Sequence, residues 1–190
     1  MCRYRVTRWL MLLLLCAMAG CSSLTTTQPL GKPASALDTR KLAGIWLTPE
    51  NEPMFVHHVV DNRLRVAGVD WDDDEPQLRK MEVLVTTDDD RMYFNVLPPQ
   101  PEEESDAPDE YTIYRVTPSE GDMLVLRILN IETFAKAVEN GQLSGTVDRN
   151  ENNVHVKLTP KESELDDFVS PDKAAEQFIL DGAIVLRRLK

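Results

Sequence analysis

The chain has 190 residues, with 32 Asp and Glu against 21 Lys and Arg and a net charge of −11. Such an acidic balance argues against nucleic acid or an anionic lipid surface as partner. The length fits one domain plus an appendage, and the cysteines are Cys2, Cys16 and Cys21.

The first residues carry Arg3, Arg5 and Arg8 without an acid, followed by the uninterrupted apolar run Trp9–Ala19. A permanent membrane span needs about 20 apolar residues. A run this short, flanked by positive charge and small residues, is that of a cleaved signal peptide over residues 1–20. It ends in Met18-Ala19-Gly20-Cys21, which resembles the bacterial lipobox, with Met18 in the slot that usually holds Leu. The resemblance implies a lipoprotein: thioether lipidation of Cys21, cleavage before it, and acylation (palmitate) of the new amino terminus. Acyl chains anchor through about 0.8 kcal/mol per buried methylene. Cys2 and Cys16 leave with the signal peptide, so the mature domain folds without a disulfide. Removing three arginines and no acid takes the net charge to −14 for residues 21–190. Ser22, by resemblance to enterobacterial lipoproteins, permits sorting to the outer membrane, so a periplasm-facing envelope location is expected. Residues 22–37, rich in Ser, Thr and Pro, read as a flexible tether between lipid and domain.

From residue 38 onward short β-type runs separated by turn signals dominate. Leu42–Thr48 is followed by Pro53–Val60 and Arg63–Trp71, joined through a two-residue hairpin turn at Asp61-Asn62. Leu78–Thr87 and Arg91–Leu97 meet at Asp88-Asp89-Asp90, and Glu110–Thr117 and Asp122–Leu129 near Pro118–Gly121. Val154–Thr159 and Phe178–Leu189 complete about nine runs. Leu64 and Val66 alternate with Arg63 and Arg65, and Val154, Val156 and Leu158 with His155 and Lys157. This is the pattern of a strand with one face inward and one wet.

Helical signals are fewer. Asn130 is placed to cap a helix through Glu139, Gly141 to end it in the left-handed region, and Ile131, Phe134 and Val138 to form one apolar stripe. A second helical stretch falls within Lys161–Glu176, divided or restarted at Pro171. Pro98–Asp109 reads as an exposed acidic loop, and Asp70–Glu75 as solvated acids at a strand end.

Hairpin-linked strands, a late helix and a long return strand predict a mainly β fold. The architecture expected is a closed or nearly closed antiparallel barrel of about eight or nine strands, with one or two short helices before the last strands; closure removes sheet edges. Gly44-Ile45-Trp46 at the start of the first strand resembles the Gly-X-Trp signature of lipocalins and related calycin barrels. In that family the Trp closes one barrel end against an Arg, and Arg187 or Arg188 on the last strand is the corresponding candidate. Such a cation–π contact contributes about 0.5–2 kcal/mol. The second lipocalin signature, Thr-Asp-Tyr, is not in the chain. The wider pattern of Gly44-Ile45-Trp46, Tyr111–Val116, Gly121–Leu124, a helix and a closing strand resembles a group of bacterial envelope lipoproteins, and that resemblance brings no activity with it.

Nothing in the sequence singles out a catalytic site. Neighbouring His57 and His58 face opposite ways on a strand, no Cys remains beside them, and the acids lack calcium-loop spacing. There is no nucleophile elbow and no phosphate loop. Trp46, Phe55, Tyr93, Phe94, Tyr111, Tyr114, Phe134, Phe168 and Phe178 read as core. The expected role is therefore non-enzymatic, without metal or cofactor: a structural or accessory lipoprotein with an envelope protein as partner. The alternative is a barrel that holds a small apolar ligand or lipid.

Overall fold

The alternation read along residues 63–66 carries into space: Leu64 and Val66 are buried, while Arg63 and Arg65 are exposed. The computed structural model describes residues 22–34, 38–72, 75–97, 109–120, 122–161, 163–169, 174–179 and 182–189. The lipobox residues Met18, Ala19, Gly20 and Cys21, and most of the acidic loop Pro98–Asp109, lie outside them.

Two short strands come first, Ser23–Thr26 (β1) and Lys32–Pro33 (β2). A 3-10 turn at Thr39–Leu42 leads into Gly44–Leu47 (β3), Pro53–Val60 (β4), Arg63–Asp72 (β5), Glu75–Asp88 (β6), Arg91–Leu97 (β7), Thr112–Ser119 (β8) and Met123–Ile128 (β9). Then follow the helix Ile131–Glu139 (α1), the strands Gly145–Arg149 (β10) and Val154–Leu158 (β11), two short helices Glu164–Phe168 (α2) and Ala174–Gln177 (α3), and Ile184–Arg188 (β12). Each of β3 to β8 pairs antiparallel with the next, β12 pairs with both β9 and β3, and β2 adds to β6 from outside. The result is a closed antiparallel barrel of eight strands plus one extra strand, a fold consistent with the lipocalin-like expectation.

Between β9 and β12 the chain leaves the barrel to build a cap on its outer wall. Asn130 caps α1 by accepting the Glu132 amide at 3.2 Å, and Gly141 ends it at φ 70°. Arg149 on β10 reaches back to Glu132 and Glu139 on α1. Gly145 is obligatory here, because a Cβ on it would lie 2.6 Å from the Lys157 carbonyl oxygen on the paired strand. The cap core gathers Phe134, Leu143, Val156 and Leu158 against the outward faces of Tyr93 and Ile113. Strand β7 therefore has no wet face: Met92 and Phe94 turn into the barrel, Tyr93 and Asn95 into the cap.

Three expectations are corrected. Val154–Thr159 is a strand, but it belongs to the cap sheet, ordered β1-β11-β10, and not to the barrel. Its alternation gives a buried and a wet face in either setting, so alternation could not choose between them. Phe55 is 51% exposed on the outside of β4 rather than in a core. Residues 22–34 are not a tether. β1 runs parallel to β11, Leu24 is buried, and Leu30 is 1% exposed. The reason is polar as well as apolar: Asn95, fully buried on β7, accepts the Leu30 amide at 2.8 Å and donates to Thr86 at 2.8 Å, and the Thr86 hydroxyl donates to the Leu30 carbonyl. Without that strap the Asn95 side-chain oxygen and the Thr86 hydroxyl proton would lose their partners.

Glu110, just before β8, accepts hydrogen bonds from Lys157 on β11 and, at 2.9 Å, from Thr25 on β1. The Lys157 bond, helped by that from Thr25, holds its carboxyl below the usual range against the desolvation that burial imposes.

Two predictions follow from the strap and from this carboxylate. Leu24→Ala and Leu30→Ala each cost about 2–5 kcal/mol in urea unfolding, whereas truncations in a free tether stay within about 0.5 kcal/mol. A depressed carboxyl pKa stabilises above the unfolded value, about 4.3, and the benefit fades as pH falls through the folded value. Glu110→Gln therefore lowers stability at neutral pH by up to about 1 kcal/mol, as befits a half-exposed pair, and wild type and variant converge once the pH falls below the lowered folded value.

Candidate binding cavity inside the barrel

Inward positions of the barrel strands carry Trp46, Met54, Val56, Leu64, Val66, Met81, Val83, Phe94, Tyr114, Leu124, Leu126 and Leu186. These side chains do not fill the interior. They leave a cavity of about 360 Å³, extended past Val96 and Ile184 to the β3–β4 loop at Thr48, Pro49 and Glu50. Many of the wall residues are short or unbranched at Cβ, and Gly68 stands at an inward position with its nearest neighbours 3.9 Å from a would-be Cβ. Val66 and Gly68 on β5 and Val83 on β6 leave room in an eight-stranded barrel that is otherwise just wide enough for side chains to fill.

The opposite end is shut by the first strand and what precedes it. The Trp46 indole N–H donates to the Leu42 carbonyl at 2.9 Å, and Thr39 donates to the Asp61 carbonyl at 2.8 Å. The Arg188 guanidinium lies 5.5 Å from the Trp46 ring centroid and donates to the carbonyls of Lys41, at 2.9 Å, and Ala43. Gly44 makes room for it: its φ is 142°, and a Cβ there would sit 3.1 Å from an Arg188 Nη. Of the two arginines the sequence offered, Arg188 thus meets Gly44 and Trp46. Arg187 faces outward and donates to Asn51 at 3.1 Å.

The cavity is apolar with few polar groups. Trp46 and Thr48 have theirs committed, the former to Leu42 and the latter to the Glu52 amide. Tyr114 is the one residue with a polar side chain among the lining residues of β4 to β9, and desolvation pushes its phenol above its ordinary pKa. Glu50 stands exposed at the loop. Of the aromatics read as core, Trp46, Phe94 and Tyr114 line this cavity, while Tyr93, Phe134, Phe168 and Phe178 pack in or against the cap core. His58 contacts the Asp61 carbonyl at 3.0 Å, and His155 contacts Ser23 at 2.9 Å, on different sheets. Among the described residues no group of three or more His, Cys, Asp or Glu could hold a metal ion. The cavity itself was not legible in the sequence: its only trace there is a few small inward residues, Val66, Gly68 and Val83 among them, which become visible once the strand register is known.

Arg188→Met removes two hydrogen bonds to carbonyls and the ring contact, and is expected to cost about 1–3 kcal/mol by chemical unfolding. Arg188→Lys recovers little of that, since one ammonium does not reproduce the planar fork. Arg187→Met stays within about 0.5 kcal/mol.

Compared with known proteins, the chain matches no family model, no curated protein and no solved structure.

Proposed function

We propose that this chain is a lipid-anchored envelope protein whose barrel takes up one small apolar molecule, without catalysing a reaction. The observation that carries the reading is the apolar interior space of about 360 Å³. Small-molecule sites are typically concave, mostly apolar, about 300–1,000 Å³ in volume, and carry a few polar groups that orient the ligand. Tyr114 and, at the loop, Glu50 supply such groups here. The anchor rests on Arg3, Arg5 and Arg8, the apolar run, and Met18-Ala19-Gly20-Cys21. Strand β1 begins at Ser23, and the Ser22 hydroxyl already accepts the Val154 amide at 3.1 Å. A lipid on Cys21 therefore holds the domain against the bilayer with almost no slack, since one residue spans at most about 3.6 Å. Such a position brings the barrel close to a source of apolar molecules.

One observation favours a second reading, in which the protein docks on an envelope protein. The wall not covered by the cap exposes Phe55, Val69, Leu78, Val185 and Leu189 on or beside β4, β5, β6 and β12. The two readings use different surfaces and are compatible.

Native mass spectrometry of the mature lipoprotein tests the first reading. The expected result is a discrete added mass that extracts as a small organic molecule. In Val83→Phe, where a larger ring occupies the cavity, that mass is absent while thermal stability is retained. A bare protein mass, with no uptake of fatty acid or other apolar probes, contradicts the reading.

A further inference from the structure

On the outer wall of the barrel, away from the cavity, Arg115 on β8 stands directly opposite Arg127 on β9. Directly opposed residues on an antiparallel pair share a face with Cβ atoms about 4.5–5.5 Å apart, and like charges there destabilise the sheet. Both arginines are half-buried. The chain has 32 acids, yet no carboxylate among the described residues forms an ion pair with either. Arg115 is steadied from one side by the Phe178 ring, whose centroid is 5.9 Å from the guanidinium carbon. The Nε of Arg127 is buried and has no hydrogen-bond partner. The next residue of the same cross-strand row is Tyr93, opposite Arg115, and its fully buried hydroxyl is also without a partner.

Two opposed cations and an orphaned guanidinium N–H form an arrangement that lacks a negative charge. A buried donor without a partner calls for a missing water or ion. The double positive charge selects an anion over a water. Guanidinium forks match the planar spacing of oxygens on phosphate and carboxylate, and two forks side by side suit a group with three or more equivalent oxygens. The site is local, because the surrounding field of an acidic protein repels anions in general.

We propose that Arg115 and Arg127 bind a phosphate group on the outer wall of the barrel, either as free phosphate or as the headgroup of a phospholipid. Bound there, the anion offsets the repulsion between the two guanidinium groups and gives Arg127 Nε an acceptor. The site neighbours Phe178, which bridges to Leu129 at the junction of barrel and cap, so an occupied site also fastens the cap to the wall.

The test is thermal unfolding of the full chain in a nonionic detergent, with phosphate exchanged for chloride at constant ionic strength. The expected result is a saturable rise in Tm, roughly 3–6 °C at about ten times the dissociation constant. Arg115→Gln and Arg127→Gln each abolish the rise. In chloride alone both variants keep a Tm equal to or above that of wild type, because one of the two opposed charges is gone. Arg40→Gln, at an exposed arginine paired with Asp38, keeps the full phosphate response. Short-chain phosphatidylglycerol below its micelle concentration separates the sources. A Tm rise at roughly tenfold lower concentration than phosphate assigns the site to a headgroup, and a weaker response assigns it to free phosphate. No phosphate-specific rise in wild type, or the same rise in wild type and both glutamine variants, overturns the proposal.

Discussion

The hollow interior exists because a late-arriving strand closes the barrel. β12 follows the whole cap in sequence and seals the wall by pairing with β3 over only two register positions, Arg187 with Leu47 and Arg188 with Trp46. Such a short seam is weak in backbone hydrogen bonds alone. Arg188 strengthens it from the side, binding carbonyls in the segment before β3 and covering the Trp46 ring. The same residues plug the shut end of the cavity. Closure of the wall and closure of the cavity floor are thus one interaction, and loss of Arg188 weakens both.

The two halves of the wall differ in support. Strands β6 to β8 lie between the barrel interior and the cap, so β7 beyond its first residue, Arg91, is apolar on both faces except for Asn95. That amide is satisfied by Thr86 and by the strap backbone, which fixes residues 22–34 to the wall. A buried polar group that is fully satisfied specifies a position rather than weakening it. The other half, β3 to β5 with β12, is a single layer whose outward side chains include exposed Phe55 and Val185. Low local packing is where proteins open first, so the half away from the cap is the one suited to admit a ligand.

Legibility in the sequence followed the range of the determining contacts. α1 was readable because its cap, stripe and terminating glycine lie within one short stretch, from Asn130 to Gly141. The hairpins through Asp61-Asn62 and Asp88–Asp90 were readable for the same reason. The partner of Val154–Leu158 was not, since alternation reports a half-buried strand and is silent about which sheet buries it. The strap is not legible because Ser, Thr and Pro suit linkers, while its Thr25 and Thr26 equally suit strands. Its real marker was Asn95, a lone amide within Met92–Leu97, whose partner lies 65 positions away in sequence. The contact of Arg188 with Trp46 could be anticipated from the Gly44-Ile45-Trp46 resemblance. The opposed pair Arg115 and Arg127 and the cavity depend on strand register, which no local signal fixes.

The central claim is that the barrel interior is an unfilled apolar space, whereas the cap core is packed. Methyl NMR under xenon pressure tests it most directly, because xenon enters dry apolar cavities and leaves packed cores unchanged. The account predicts saturable shifts at the methyl groups of Val83, Leu126 and Leu186, and none at Val156 and Leu158. Unchanged methyl signals throughout the barrel would contradict it and show that side chains fill the interior.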